Sequence, residues 1–574
     1  MVVVSIDEFL GSRKWLGRML TTHSCEGEFD SGVVALLERS DSERIEVDRA
    51  LKNEIASISQ TTIDHWLSET RFIRPLRDFQ RRDLAKIISL SHGANFSVPG
   101  SGKTTVTYAA YEILRARNLV DKLLVVAPLS AFDSWQDEAN ESMDPVPRVE
   151  RFENAMPRLA EVILINYQRL ASRKSEIFTW LSKNRCHLVL DEAHRMKRGR
   201  NGEWGAACLD LAQSSVRRDI LTGTPAPQHP SDFDALLSFL WPHQATRILP
   251  VSTFEISPSP SSMIEISQRI RPLFVRTKKD ELGLEPPTLR VEEVTMNPVQ
   301  LRIYEAVRTR MKNEIRSKRL EAIDLRDLSD VVMYMLEAAT NPALLASAIG
   351  ESPSSTSWPS ILIPENSSMA ELIASYASYE VPIKFEKLAA MIAQNASVGR
   401  KTLVWTNFVA NLVDLRDRVL APYSPAAIYG AIPSSADAVP GSREGEVSRF
   451  RYDDECMVLI ANPAAMSEGI SLHQTCHDAI YVDRTFNAGQ YLQSLDRIHR
   501  LGLQPGTETR ITFLVCRDTI DETVDHRIKV KAERLSVMLD DPNLVTMALP
   551  DEDSYGSWVD DEDLDALFGH LNSE

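Results

Sequence analysis

The stretch NFSVPGSGKTTVTYAAYEIL, residues 95–114, decides how the rest of the chain is read. Two apolar residues, Phe96 and Val98, lead into a turn through Pro99, Gly100, Ser101 and Gly102, after which Lys103 and Thr104 open a run of helical character. A strand, a glycine loop and a helix N-terminus in that order can cradle an anion. Loop amides point at phosphate oxygens, the helix start adds partial positive charge, a lysine reaches the β- and γ-phosphates, and a threonine hydroxyl binds Mg²⁺. The pattern G-x-x-x-x-G-K-[ST] is met except at its first position, where Ser97 replaces Gly. Taken alone, the fragment also reads as a Gly/Ser turn in front of a helix.

With 574 residues, 43% of them hydrophobic, the chain can bury more than one core, and length alone suggests roughly three to four structural units. No apolar run approaches the ~20 residues of a membrane helix, and the start, MVVVSIDEFLGSRKW, lacks a charged leader. A soluble, cytoplasmic protein without membrane contact is expected. Cys25, Cys186, Cys208, Cys456, Cys476 and Cys516 lie far apart, without C-x-x-C pairs, which points to reduced thiols and away from a zinc or disulfide scaffold. The net charge of −17 argues against a coat of positive charge, but binding a polyanion needs only a local basic groove. Much of the acidic excess sits in residues 551–574, which contain no Lys or Arg.

Apolar strand-like runs alternate with helical ones in the first half: LLVVAP (123–128), EVILINY (161–167), CHLVLDEAH (186–194) and RDILTGTP (218–225). The grammar returns in KTLVWTNF (401–408), AAIYG (426–430), CMVLIANP (456–463), HDAIYVDR (477–484) and ITFLVC (511–516). Continuous apolar strands followed by helices imply parallel sheets covered on both faces. The expectation is α/β, with two such lobes. Residues 1–70 form a mostly helical extension, 71–295 the first lobe, 296–380 a helical insertion with a Ser/Pro-rich loop, 381–536 the second lobe, and 537–574 an acidic tail.

In open parallel sheets, ligands bind beyond the C-terminal strand ends. There LVLDEAHRMK delivers Asp191 and Glu192, suited to Mg²⁺-water coordination and to water activation respectively. A lone D-E-A-H also reads as a charge cluster at a helix start. LTGTP (221–225) ends another strand with two hydroxyls that can sense a phosphate, or forms an ordinary turn. QYLQSLDRIHRLG places Arg497 and Arg500 on one helical face. These guanidiniums suit charge stabilisation on a transferred phosphoryl group, or simply a solvated helix.

Together these segments resemble the Snf-type (Swi/Snf) ATPases of helicase superfamily two, over about residues 71–536. The resemblance rests on RPLRDFQ, SVPGSGKTT, LLVVAPLSAFDSWQDE, INYQ, DEAHRMK, LTGTPAPQHPSDFDALLSFLWP, RPLFVRTKKDEL, NPVQLRIYEAV, ATNPALL, KTLVWTNF, AMSEGISL, DRTFNAGQYLQSLDRIHRLG and DTIDETV, in that order. FVRTKKDEL and QSLDRIHRLG separate this type from other helicases. The resemblance implies two RecA-like lobes and Mg²⁺-dependent ATP hydrolysis coupled to translocation along double-stranded DNA without strand separation. It assigns catalysis to Lys103, Asp191, Glu192, Arg497 and Arg500, and Mg²⁺ to Thr104 and Asp191. Nucleotide contacts fall to Arg74, Gln80, Gly100, Ser101, Gly102, Lys103, Thr104, Thr105 and Gly469, with Gln80 and Arg74 reading adenine. Nucleic-acid phosphates fall to Ser130, Asn166, Tyr167, Thr406, Asn407 and Ser467. Basic runs at HRMKRGR (194–200), RTKK (276–279) and KNEIRSKR (312–319) would line the groove or stand as solvated surface.

Departures from the family pattern are Ser97, Gln228 after LTGTP, two missing glycines in AMSEGISL, and Leu503 displacing Gln504. At such positions a Cβ stands where bare backbone would meet nucleic acid closely. The rival functions are a strand-separating DNA or RNA helicase and a non-hydrolysing, ATP-switched DNA-binding scaffold. Compact motors of this type serve bacterial restriction and phage defence, repair and transcription recycling, and the sequence does not choose among them. Protein partners are expected through the tail, the N-terminal extension or the insertion. In the tail, Leu564, Leu567, Phe568 and Leu571 share a face of a short amphipathic helix. That face is expected to order against a partner's groove or against the motor's own basic cleft.

Overall fold

Runs such as LLVV and VILI offer no polar face, and the strands they form are buried on both sides. The computed structural model describes residues 15, 18–19, 21–23, 31–226, 229–255, 257–317, 325–348, 368–433, 439–463, 465–466, 472–485, 497–499, 503, 506–541 and 561–572. The first sheet contains β1 (Gly93–Asn95), β2 (Lys122–Val126), β3 (Val149–Arg151), β4 (Val162–Ile165), β5 (Cys186–Asp191), β6 (Arg217–Leu221) and β7 (Phe274–Val275). Its order is β3-β4-β2-β5-β6-β1-β7, with every pairing parallel. The second contains β8 (Thr288–Val294), β9 (Thr402–Trp405), β10 (Ala426–Ile428), β11 (Val458–Ala461), β12 (Asp478–Tyr481) and β13 (Arg510–Cys516). These run β10-β11-β9-β12-β13-β8, again all parallel.

Alternating side chains feed opposite faces of each sheet. Leu123, Val125, Val162 and Leu164 pack with Tyr108 and Trp135 of the flanking helices Lys103–Ala116 and Phe132–Ser142. In the second sheet Leu403 and Trp405 join one cluster while Val404 joins another. The α/β expectation, with two parallel-sheet lobes, is borne out.

The chain divides into two compact units: Met1–Leu282 with Leu535–Pro542, and Gly283–Arg534 with Asn543–Glu574. This differs from the five-part division expected from sequence. Residues 283–295 leave the first lobe, because β8 pairs along its whole length with β13. The insertion is no separate body either. Its helices Pro298–Ser317 and Leu325–Thr340 share a core with Ile520, Val524 and Ile528 of the helix Ile520–Leu539.

The tail is likewise divided. Asp541 belongs to the first unit, where it accepts from the buried Arg276 at 2.8 and 3.0 Å. Arg276 was a candidate for the basic groove. It instead donates to Phe96 O at 2.5 Å and Gly223 O at 3.0 Å, tying together the segments that follow β1 and β6. The amphipathic segment forms the helix Asp561–Asn572, whose Leu567 and Leu571 are buried against Ile303, Tyr304 and Val307. His570 Nε2 lies 2.8 Å from the Tyr304 hydroxyl, and His570 O accepts from Arg308 at 3.0 Å. Leu567, Phe568 and Leu571 of the expected apolar face are therefore packed on this chain's own helix Pro298–Ser317. The reason is chemical: leucines are stabilised by an apolar groove, and Pro298–Ser317 supplies one.

Sheet register sets up the site. Asn95 and Asp191 both align with Leu221, so β1, β6 and β5 end in one row. The loops 96–102, 222–225 and 192–196 emerge side by side.

Candidate nucleotide site

The loop after β1 turns through Gly100 and Gly102, both at φ +81°, a conformation that disfavours any Cβ. At Gly102 a Cβ would also stand 2.3 Å from Gln80 Nε2. Gly102 then caps the helix Lys103–Ala116 without a side-chain hydrogen bond of its own, and a helix start of this kind suits an anion. Gln80 Nε2 donates to Ser101 O at 3.1 Å and Gln80 Oε1 accepts from Arg77 N at 2.9 Å, placing the expected adenine reader against the loop itself. Lys103 Nζ donates to Ser97 O at 3.0 Å, and the Ser101 hydroxyl is buried without a hydrogen-bond partner among the described residues.

Ser97 proves to be an inward-facing residue. It is fully buried, its hydroxyl donating to Asp83 Oδ2 at 3.1 Å and accepting from Thr277 N at 2.8 Å. Thr277 Oγ1 donates to the same Asp83 oxygen at 2.7 Å. The departure from glycine thus braces the loop from behind and does not put a Cβ in the path of a ligand.

Asp191 ends β5. Its Oδ2 accepts from Trp135 Nε1 at 2.8 Å, its Oδ1 from Glu192 N at 3.0 Å, and its carbonyl from the Tyr167 hydroxyl at 2.8 Å. Glu192 takes the left-handed conformation, φ 51° and ψ 51°, a strained choice for a residue with a side chain and one that concentrates at functional sites. His194 Nδ1 lies 3.3 Å from Glu192 Oε2 and 3.1 Å from Thr222 Oγ1, and Thr222 Oγ1 accepts from Thr224 N at 3.2 Å. A polar chain therefore joins the carboxylate to both threonines of LTGTP. Desolvation pushes the Glu192 carboxyl up, but His194, Lys103 and Arg195 outweigh it and hold the group down at about 2. It is ionised at neutral pH.

The remaining expected residues distribute unevenly. Arg74 is held by Glu138 and Glu141, each at 3.0 Å, and Thr105 Oγ1 donates to the same Glu138 at 2.7 Å. Ser130 lies on the turn Leu129–Ala131, and Asn166 caps the helix Tyr167–Ser172 by accepting from Arg169 N at 2.8 Å. Tyr167, expected on phosphate, is buried with its hydroxyl on Asp191 O. In the second unit, Thr406 Oγ1 donates to Asp483 Oδ2 at 2.5 Å, and Asn407 reaches Asp483 Oδ1 through its backbone N at 2.7 Å and Nδ2 at 2.8 Å. Arg497 is buried and its carbonyl accepts from Leu472 N at 2.7 Å. Ser467, Gly469 and Arg500 lie outside the described residues. His194, Asp83 and Asp483 carry no spacing signal in sequence, because each acts on a residue brought close only by the sheet.

A sequence profile described as the SNF2-related domain matches residues 98–343, spanning the glycine loop, both carboxylates and LTGTP. Over those residues the chain is similar to the SNF2-related domain. Among curated relatives, the chain is 24% identical over 465 residues to the Danio rerio Chromodomain-helicase-DNA-binding protein 1-like, covering 77% of this chain and 41% of that protein. It is 21% identical over 568 residues to the Transcription regulatory protein SNF2 of Saccharomyces cerevisiae, covering 91% of this chain and 31% of the relative. The chain thus spans less than half the length of either relative. Among solved structures it is similar to the Sulfolobus solfataricus SWI2/SNF2 ATPase core in complex with dsDNA, at 20% identity and TM-score 0.36, covering 83% of this chain and 95% of that one. No described helix is long and apolar enough to cross a membrane.

Proposed function

We propose that this chain is a Snf-type, ATP-hydrolysing motor that translocates on double-stranded DNA without separating its strands. The observation that carries the reading is the shared row of β1, β6 and β5 ends, which sets the Lys103 loop, LTGTP and Asp191–Glu192 side by side. The donor set fits a magnesium nucleotide. The helix start after Gly102, which supplies no side-chain cap, and a Ser101 hydroxyl without a partner among the described residues suit phosphate oxygens. No cluster of three metal-ligating side chains occurs among the described residues. Asp191 and Thr104 would hold Mg²⁺ together with substrate phosphates, the usual way proteins bind it.

Residues 100–104 and Lys103 Nζ bind and orient the phosphates, and Gln80 meets the base side of the same loop. Glu192, ionised and fixed by His194, takes the proton of the attacking water. Thr222 and Thr224, hydrogen-bonded to that system, follow its state. Mg²⁺ at Asp191 and Thr104 would supply neutralisation of phosphoryl charge. Support for duplex DNA comes from the Snf-type signatures FVRTKKDEL and QSLDRIHRLG and from a relative named as DNA-binding. Ser130, on the turn after β2, and Asn166, directly after β4, are read as contacts to backbone phosphate, and contacts of that kind give little sequence specificity.

The test is ATPase activity with duplex DNA, single-stranded DNA and RNA supplied separately, beside triplex-displacement and forked-duplex assays. The expected result is strongest stimulation by duplex, triplex displacement, and no unwinding. Robust unwinding of the fork, or preference for RNA, overturns the reading.

A further inference from the structure

Trp135 and Tyr167 come from different segments, and both give their polar hydrogen to Asp191. Trp135 lies on the helix Phe132–Ser142, directly after the turn Leu129–Ala131 that follows β2, and is fully buried. Its Nε1–H reaches Asp191 Oδ2 at 2.8 Å. Tyr167 opens the helix Tyr167–Ser172 after β4, and its hydroxyl reaches Asp191 O at 2.8 Å. Its ring stacks on Trp204 with centroids 5.8 Å apart, and burial pushes the phenol well up, so it remains a donor.

The two bonds grip the Asp191–Glu192 peptide from two sides, one at the carboxylate and one at the carbonyl. That peptide leads into the left-handed Glu192, a conformation that persists only where surroundings over-determine it. Asn166, next to Tyr167, and Ser130, on the turn that leads into the helix of Trp135, are the residues read as nucleic-acid contacts. Hydrogen bonds weaken steeply as their angle departs from linear. A small displacement of either segment therefore alters the orientation of both carboxylates.

We propose that Trp135 and Tyr167 are positioning residues for Asp191 and Glu192, and that through them the segments 129–135 and 166–172 report a bound polynucleotide backbone to the hydrolytic carboxylates. The proposal rests on the reading of Asp191 and Glu192 as the hydrolytic pair. It assigns the Tyr167 hydroxyl to coupling and not to phosphate.

The experiment compares the full chain with Tyr167→Phe and Trp135→Phe, measuring kcat and KM for ATP with and without saturating duplex DNA, DNA affinity by anisotropy, and Tm. Tyr167→Phe keeps the ring on Trp204 and deletes only the hydroxyl. Its DNA-stimulated kcat is expected to fall about 10- to 100-fold, the usual cost of losing a partner that orients a metal ligand. KM for ATP, DNA affinity and Tm should hold, and the ratio of stimulated to unstimulated turnover should fall toward one. If the smaller ring at position 135 unfolds the protein, Tyr167→Phe decides alone. An unaltered stimulation ratio in Tyr167→Phe, or equal loss with and without DNA, overturns the inference while the hydrolytic reading stands. A wild-type chain that turns over no ATP with any polynucleotide overturns both.

Discussion

Lys103 and Glu192 occupy one site with separable tasks. The Lys103 ammonium rests on Ser97 O in this conformation, and no other cation is part of the loop from 96 to 104. Lys103→Ala should abolish nucleotide binding or turnover, read by a fluorescent-nucleotide titration beside an ATPase assay. Glu192→Gln should bind nucleotide as wild type does and stall hydrolysis, because the amide keeps the shape and loses the base. Comparable turnover in Glu192→Gln and wild type would remove Glu192 from the chemistry. Both residues are visible in the sequence, since the motif types that name them are local. Their helpers are not. His194 sits two residues from Glu192, yet nothing in D-E-A-H says that its ring will meet Thr222, which β6 supplies.

Elements repeat the contrast. The central strands announce themselves as apolar runs, whereas β8, TLRVEEV, is mostly exposed and carries Arg290, Glu292 and Glu293, as an edge strand does. Its allegiance to β13 becomes legible only from the pairing. The tail helix Asp561–Asn572 shows its face by spacing, but the surface that receives it lies about 260 residues upstream, as the Tyr304–His570 hydrogen bond records. Leu567→Ala and Leu571→Ala should each cost about 2–5 kcal/mol, the range for emptying a buried leucine site. Thermal unfolding of the full chain checks this: an unchanged transition in both variants would mean the helix is not docked in solution. Deleting residues 551–574 should accordingly lower stability before it alters any association.

At the scale of the whole molecule, the first unit is fastened to its N-terminal helix Ser31–Leu51 by a buried charge. Arg218 is fully buried, donating to Leu240 O and Ala212 O at 2.9 Å each and to Glu43 of that helix. His92 Nδ1 accepts from Arg218 N at 3.2 Å, and His92 Nε2 lies 3.1 Å from Glu43 Oε1. Burial, then Arg218, drives His92 down to about 3. Burial pushes the Glu43 carboxyl up, but Arg218, His92 and Arg39 outweigh it and hold the group at about 2. Both shifts act in one direction. Below pH 6.5 the unfolded chain takes a proton on His92 that the folded chain refuses until about 3, so stability falls across that window. The contribution of Glu43 is complete above pH 4.5 and is lost as pH falls toward 2. Each group costs about 1.4 kcal/mol per pH unit where the two states differ by a whole proton. Chemical denaturation at stepped pH should show the decline, and His92→Gln should flatten it between pH 6.5 and 4.5. Glu43→Gln should destabilise by about 3–5 kcal/mol by stranding the Arg218 charge; a neutral effect would mean the helix is not fastened there.

The sequence by itself determined the parallel α/β class, the strands at both sheet centres, the glycine loop with Lys103, and the carboxylates Asp191 and Glu192. Each of these is written in contiguous residues, where apolar runs and glycine turns act through neighbours in the chain. Tertiary structure alone decided that Ser97 faces inward to Asp83, that Arg276 and Asp541 form a buried pair, that Tyr167 serves Asp191, and that the tail lies on Pro298–Ser317. A hydroxyl, a guanidinium or a leucine face is defined by what it can bind. Which partner it meets depends on strand order and register, and those arise from packing the whole chain at once.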